Sequence, residues 1–355
     1  MEQKVLDKIC GAIHKKYGKE SITFLGNNEP EALPRISTQC PQLDLAMGGG
    51  LPEGRIIELF GPESSGKSTV CLHTIAEAQR RYPDVPVAFI DVEYGFDPIY
   101  AQTIGVNVPD LLVSQPSNGT EALNILVDLI EQGVKLIVID SVAALLPQEE
   151  DDVGFDKNQM GVHARMMSRG LRKINSAAGR AGTTLIFTNQ TRNKIGVMFG
   201  NPETTTGGQA LKFYASVRVR LSATGVTKEG NEKVASIVKA SVVKNKTAAP
   251  FKVTTFTIRY GIGIDRIADL INTCLSANIL TKKGAWYSCG EEQIGCGYAQ
   301  TYKTISEDEA LRKKLGDLSK DVKVVLAAPA AEVADGEATE GEEKEGDGGV
   351  STSDV

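Results

Sequence analysis

Eight residues constrain this chain more than any other feature: Gly61-Pro62-Glu63-Ser64-Ser65-Gly66-Lys67-Ser68, with Thr69 after them. They match G-x-x-x-x-G-K-[ST] without a mismatch. An apolar run at 56–60 precedes them and a helix-forming stretch at 68–81 follows. A glycine-rich turn in that setting lets backbone N–H groups curl round phosphate oxygens, and the helix N-terminus adds partial positive charge. There Lys67 reaches the terminal phosphates and the Ser68 hydroxyl binds Mg²⁺. The pattern alone says a nucleoside triphosphate, and says nothing of what its turnover drives.

Short runs rich in apolar residues recur at 56–60, 87–92, 111–114, 136–139 and 184–188. Helical stretches at 68–81, 120–132 and 160–178 lie between several of them. Runs apolar on both faces suit buried parallel strands. Their alternation with helices predicts an α/β core around a mostly parallel, twisted sheet. Alternating segments at 217–223 and 235–246 predict an antiparallel extension. The strand at 136–139 leads straight into Asp140, which in a phosphate-loop sheet faces the metal. The strand at 87–92 delivers Asp91 and Glu93 to the carboxyl edge, where ligands sit in such sheets. A carboxylate there can act as general base.

The ends read differently. In residues 1–34, Leu6, Ile9, Ile13 and Tyr17 recur at three and four residues, an amphipathic helix, and 21–25 reads as a short strand. So small a piece cannot bury its own apolar face, so it packs on something else. The core spans 35–266. A small α+β unit follows at 267–326, with a helix at 268–277, a hairpin at 286–298 and a helix at 307–318. Residues 327–355 carry nine acids against one lysine, about −8 in a chain whose net charge is −6, which leaves a mildly basic body. With almost no bulky apolar side chain, this tail is expected to be disordered. No stretch approaches the roughly 18 apolar residues of a membrane span. The N-terminus lacks a signal-peptide apolar block. Six cysteines without a C-x-x-C, beside only three histidines, suggest reduced thiols, no structural zinc and a cytoplasmic location.

Longer segments are more specific than the phosphate loop. GPESSGKST at 61–69, FIDVEYGFDPIYA at 89–101, IDSVAAL at 139–145 and MGVHARMMS at 160–168 resemble the bacterial RecA recombinase family. So do KIGVMFGNPETTTGGQALKFYAS at 194–216, VVKNKTAAPF at 242–251 and GAWYS at 284–288. The likeness runs from about residue 5 to 320.

The resemblance implies a P-loop NTPase core of the RecA type and a DNA-dependent ATPase with ATP and Mg²⁺ as cofactors. It implies a helical filament on single-stranded DNA that pairs it with a homologous duplex and exchanges strands. It also implies stimulated self-cleavage of a LexA-type repressor. Glu93 then corresponds to the water-activating carboxylate, and Gln190 to the γ-phosphate sensor that starts the second DNA loop. Asp97 and Tyr100 fall on the adenine side, with Tyr260 closing on the base. Lys244 and Lys246, two apart on a strand and so on one face, correspond to lysines that reach the neighbouring subunit's ATP. The DNA loops fall at about 149–160 and 191–209. Met160 and Ile195 match the apolar wedges between bases. Arg165 and Arg172 on one helix, Arg192, Lys194, Gly207 and Gly208 are expected on the DNA side. The chain departs from common members at Tyr94-Gly95-Phe96, where His-Ala-Leu is expected, at His163, and in the acidic run 149–152.

Two other readings share the phosphate loop. A ring-forming motor lacks the 194–216 block and the small C-terminal unit, and a non-hydrolysing scaffold has no need of Glu93 and Gln190.

Overall fold

A computed structural model describes residues 3–18, 21–22, 33–148, 161–193 and 203–320. In chain order the strands are β1 (Arg35–Ile36), β2 (Leu51–Pro52), β3 (Ile56–Gly61), β4 (Val87–Asp91), β5 (Leu111–Ser114), β6 (Leu136–Asp140), β7 (Thr184–Asn193) and β8 (Glu203–Thr205). They continue with β9 (Val217–Glu229), β10 (Glu232–Asn245), β11 (Val253–Arg259), β12 (Gly263–Ile264), β13 (Thr281–Lys283), β14 (Trp286–Cys289) and β15 (Glu292–Cys296). The helices are α1 (Gln3–Tyr17), α2 (Pro41–Met47), α3 (Lys67–Arg81), α4 (Pro98–Ile104), α5 (Gly119–Glu131), α6 (Val162–Ala181), α7 (Ala210–Tyr214), α8 (Arg266–Ser276), α9 (Tyr298–Glu307) and α10 (Glu309–Lys320).

The main sheet has the order β12-β11-β10-β9-β3-β7-β6-β4-β5, with β8 paired to β7 off this path. Strands β9, β3, β7, β6, β4 and β5 run parallel. Strands β10, β11 and β12 add antiparallel. The expected parallel core forms and an antiparallel extension follows from β10 on, but the segment at 217–223, expected in that extension, is the start of β9 and runs parallel to β3. Side chains alternate across the strands, and helices cover both faces. Ile57, Leu59, Phe89 and Val138 pack with Leu43 and Met47 of α2 and Val70, Cys71 and Ile75 of α3. Ile56, Ile137, Ile139 and Phe187 pack on the other face with Leu126 and Ile130 of α5 and Met167, Leu171 and Ile174 of α6. Helix starts are capped from the sequence: Asn118 accepts from the Glu121 N–H on α5, and Asp265 from the Ala268 N–H on α8.

Three local expectations need correction. Strand β5 is not buried on both faces: it is the sheet's edge, and Leu112 and Val113 are 47% and 44% exposed. A four-residue apolar run looks alike at the centre and at the rim. The hairpin expected at 286–298 forms as β14 and β15, and an unexpected third strand, β13, extends it to a three-stranded antiparallel sheet. Tyr298 instead opens α9, a helix the sequence reading did not expect, and the helix expected at 307–318 forms as α10 after a break at Asp308. In the N-terminal piece α1 is present, while most of the expected strand at 21–25 lies outside the described residues, as do all of 149–160 and the tail at 327–355.

The C-terminal unit has its own core of Leu270, Ile271, Cys274, Leu280, Ile294, Ile305 and Leu315. A buried clamp joins it to the main core. Asp269 on α8 accepts from the Gln42 N–H at 3.1 Å, and the Gln42 amide donates to Thr273 at 3.1 Å. Within the core, on α3, His73 accepts the Ile264 N–H of β12 through Nε2 at 2.8 Å, so its Nδ1 hydrogen goes to Gln39 at 2.9 Å. Burial, helped by nearby Arg266, holds this imidazole neutral with its pKa pushed down to about 3.

Candidate nucleotide and nucleic-acid site

The phosphate loop sits where β3 ends and α3 begins. Gly61 closes the strand, and a Cβ there would meet the Leu221 carbonyl oxygen at 2.0 Å. Gly66 caps α3 in the left-handed region at φ +87°, and a Cβ there would meet Ile258 Cδ1 at 2.3 Å. Both positions therefore require glycine, and the loop's backbone is held against β9 and β11. Lys67, the first residue of α3, is buried. Its Nζ donates to the loop's own oxygens, Pro62 O at 2.7 Å and Gly61 O at 3.3 Å. Burial lowers its pKa, while Asp140 and Glu93 oppose that shift.

Carboxyl-edge groups from adjacent strands face this loop. Asp140 at the end of β6 accepts from Ser68 Oγ at 2.6 Å and from Thr188 Oγ1 at 2.5 Å. Burial raises its pKa, and those two hydroxyls oppose the shift. Glu93, just past β4, is hydrogen-bonded to the Ser141 hydroxyl and accepts the side-chain amide of Gln190 at 3.3 Å. Asp91, which the strand also carries to this edge, is buried and already engaged by the N–H groups of Gly95 and Phe96 and by Gln115. It shapes the Tyr94-Gly95-Phe96 turn, and Glu93 is the exposed carboxylate of the two.

The pair Ser68 and Asp140 suits Mg²⁺, a hard cation that takes few protein oxygens and completes its shell with water and phosphate. Among the described residues no three His, Cys, Asp or Glu side chains converge as a metal cage. Phosphate oxygens of a bound nucleotide would supply further ligands to such a site. The glycine-shaped loop and Lys67 at a helix N-terminus fit a triphosphate.

Beside the loop lies a cleft of about 370 Å³ lined by residues 64–69, Tyr100, Ser236, Val238, Ile258, Tyr260 and Gly261. Tyr100 bonds Thr69 Oγ1 at 3.1 Å, and Tyr260 is half exposed at the rim. Two aromatic rings at an apolar cleft next to a phosphate loop can hold a base. Asp97 lies outside the cleft lining and caps α4, accepting from the N–H groups of Ile99 and Tyr100. Its visible role is to set the position of Tyr100.

Lys244 and Lys246 do lie together, but away from this cleft. Lys244 donates to the carbonyls of Lys212 at 2.5 Å and Phe213 at 3.0 Å, and Lys246 to Phe213 at 3.4 Å. They cap the C-terminal end of α7. Burial and the neighbouring Lys246 and Arg218 lower the pKa of Lys244. Phe213, whose carbonyl receives both lysines, is 72% exposed.

Of the expected DNA-side residues, Met160, Lys194 and Ile195 lie outside the described residues. Arg165 and Arg172 are exposed on α6. Sequence reading passed over Arg169 and Lys173 on the same helix, whose spacing of four and eight from Arg165 was the available signal. Among the described residues none of these four cations forms an ion pair. Arg165 and Arg169 line a groove of about 390 Å³ between α5 and α6, beside Asn124, Thr120 and Pro147. Gly207 and Gly208 press the end of the second loop onto α6 and its neighbour: a Cβ would meet Val142 Cγ1 at 2.8 Å and Ala164 Cβ at 2.9 Å respectively. Arg192 reaches Gln190 Oε1 at 3.5 Å. Reading by motif also missed Ser141 and Thr188, which hold Glu93 and Asp140, because a lone hydroxyl carries no pattern.

The chain matches known protein families along most of its length. The RecA N-terminal domain family matches residues 4–265 and the RecA C-terminal domain family residues 268–320. Protein RecA of Rubrobacter xylanophilus is 47% identical over 316 residues, 88% of this chain and 91% of the relative. Protein RecA of Ectopseudomonas oleovorans is 47% identical over 335 residues, covering 94% and 95%. Protein RecA of Colwellia psychrerythraea is 45% identical over 341 residues, covering 95% and 98%.

Proposed function

The chain belongs to the RecA family of DNA recombinases, and from that premise we propose how its residues divide the work of a DNA-dependent ATPase that forms filaments. The observation that carries the proposal is the contact between Gln190 and Glu93. It joins the start of the second loop directly to the carboxylate beside the phosphate loop.

Bound ATP with Mg²⁺ supplies the phosphoanhydride to be cleaved and a divalent charge that offsets its oxygens. The loop backbone from Gly61 to Gly66 and the Lys67 ammonium hold the phosphates, with Lys67 exchanging its contacts to Pro62 and Gly61 for phosphate oxygens. Ser68 and Asp140 hold the metal side. Tyr100 and Tyr260 would hold the base in the cleft, with Asp97 setting Tyr100. Glu93 takes the proton of the attacking water, and Gln190 releases or orients it according to the state of the second loop. Arg165, Arg169, Arg172 and Arg192 contact phosphates of DNA, which fixes register without reading sequence. Base pairing then tests homology.

Lys244 and Lys246 leave the end of α7 to reach a neighbouring protomer's nucleotide, so that ATP cements a head-to-tail contact. Such a contact, when it does not close, gives a helical filament. The filament stimulates self-cleavage of a LexA-type repressor. The test is the ATPase rate of the full chain with and without single-stranded DNA, with electron micrographs alongside. DNA-stimulated turnover and filaments are expected. Rings, or turnover indifferent to DNA, would overturn the proposal.

A further inference from the structure

One step before Gln190 on β7 stands Asn189, which is 0% exposed. Its side-chain amide has two donor hydrogens and one carbonyl oxygen, and every one of these is engaged. The oxygen accepts from the Gln190 N–H at 2.9 Å and from Thr206 Oγ1 at 2.5 Å. The nitrogen donates to Glu58 Oε1 at 2.9 Å and to the Thr206 carbonyl at 3.1 Å. Thr206 stands directly after β8, where the second loop comes back to the core. Glu58 is itself 0% exposed, lies on the strand that runs into the phosphate loop, and is paired with Arg218 at 2.5 Å. One buried amide thus touches the point where the second loop leaves, the point where it returns, and the strand that carries the phosphates.

We infer that Asn189 is a positioning residue: it converts a displacement of the returning second loop at Thr206 into a reorientation of Gln190 against Glu93. The inference rests on the roles proposed above for Gln190 and Glu93. Its physical basis is that a fully satisfied buried amide has no spare partner. If Thr206 moves, the Asn189 side chain must follow or leave a buried polar group unpaired, which is costly. If it follows, the Gln190 N–H bonded to the same oxygen moves with it. Glu58 supplies the fixed reference, because a buried carboxylate held by Arg218 cannot shift freely.

Asn189→Asp separates this role from mere packing. The shapes match, but a second carboxylate then faces Glu58 and loses the donor that Glu58 and the Thr206 carbonyl require. Protonation of the introduced carboxylate would return one donor hydrogen, so the defect should shrink as pH falls. The charged groups facing this position are Glu58 from β3 and Arg218 from β9, with Lys244 of β10 acting on both and Glu93 beyond Gln190. None of these supplies a donor to position 189 on the side of Glu58. Replacing Glu58 by Gln in the same chain supplies a donor from the other partner.

The experiment measures ATP turnover, ATP KM and fluorescent-nucleotide binding for the full-length wild type, N189D, T206V and N189D/E58Q. Each is assayed with and without single-stranded DNA, across mildly acidic to mildly alkaline pH. For N189D at neutral pH, stimulation by DNA should fall about tenfold or more, the scale of a disrupted buried hydrogen bond. ATP KM and nucleotide binding should stay near wild type. Acid pH and the E58Q partner change should each restore part of the lost stimulation. T206V, which removes only the hydroxyl donated to Asn189, should weaken stimulation in the same direction and serves if N189D fails to fold. Stimulation unchanged in both N189D and T206V, beside a stimulated wild type, overturns the inference alone. A wild type that DNA does not stimulate overturns the functional reading and this inference together.

Discussion

Gln190 donates its amide to Glu93 at 3.3 Å, while the Ser141 hydroxyl holds the same carboxylate oxygen, Oε1. The proposed base is therefore restrained from two sides. One restraint belongs to the segment that follows Asp140 and the other to the stem of the second loop. For Glu93→Gln, nucleotide binding should persist and hydrolysis should drop by roughly 10²-fold or more, the usual scale for loss of a general base. Single-turnover assays on preloaded protein separate the two, and wild-type turnover would move the base elsewhere.

Lys67 donates to two carbonyls of the phosphate loop itself. Its removal should weaken nucleotide binding by about tenfold to a hundredfold, since a hydrogen bond to a charged group is worth roughly 1.5–3 kcal/mol. Equilibrium titration of Lys67→Ala with labelled ATP reads this directly, and filament assembly should fail in parallel.

The arginines of α6 predict a salt effect. Each phosphate contact on single-stranded DNA contributes about 0.7 to the slope of log affinity against log salt. Arg165→Gln and Arg169→Gln should each lower that slope by about this amount, without altering sequence preference. A slope that Arg169→Gln leaves unchanged would make Arg169 a solvated side chain, while the same result for Arg165→Gln would remove the groove from the DNA path.

The lysines at the end of α7 predict a defect that only assembly reveals. Lys244→Ala or Lys246→Ala should bind nucleotide as a monomer within about twofold of wild type, because neither lines the cleft. Filament length and DNA-stimulated turnover should both fall. Normal filaments in both variants would reduce these lysines to helix caps.

The clamp at α8 predicts a pH dependence of stability. Burial raises the Asp269 pKa to about 7 from 3.8, and Asp44 nearby is raised to about 6, again chiefly by burial. A carboxyl whose folded pKa lies above its unfolded value makes the native chain bind more protons than the unfolded one. Its contribution to stability is then fully present below the unfolded value near 4 and lost as pH rises through about 7. Asp269→Asn keeps the oxygen that accepts from Gln42 and cannot ionise. Its melting temperature should exceed wild type at pH about 8 and approach it near pH about 4. Equal pH profiles for the two proteins would show that Asp269 does not titrate in this range.

Legibility followed local pattern. The phosphate loop, Asp140 and the alternation of strands and helices carry their meaning in adjacent residues, so they could be read before any fold was known. Strand β5 could not be placed at the rim, because edge or centre depends on what pairs beside it. Asn189 and Glu58 were invisible for a related reason. A buried polar network is defined by partners 131 residues apart in the chain, and neither residue stands in a recognisable spacing. The closeness of Lys244 and Lys246 was legible from their spacing, although Lys246 falls just past the end of β10, but the α7 carbonyls they cap were not.

The pairing of β3 with β7 and β9 has a consequence for synthesis. Glu58 meets Asn189 and Arg218, which follow it by 131 and 160 residues. The phosphate loop is thus made early, yet the strands on both of its sides leave the ribosome much later. Contacts of such separation form slowly, because the intervening chain must be ordered first. A nascent chain that ends before β9 lacks the Leu221 carbonyl against which Gly61 is packed, and the Tyr260 ring comes later still. Nucleotide can therefore act as a folding ligand only after almost the whole core has emerged, and a ribosome stalled before that point holds an apolar sheet with an open flank.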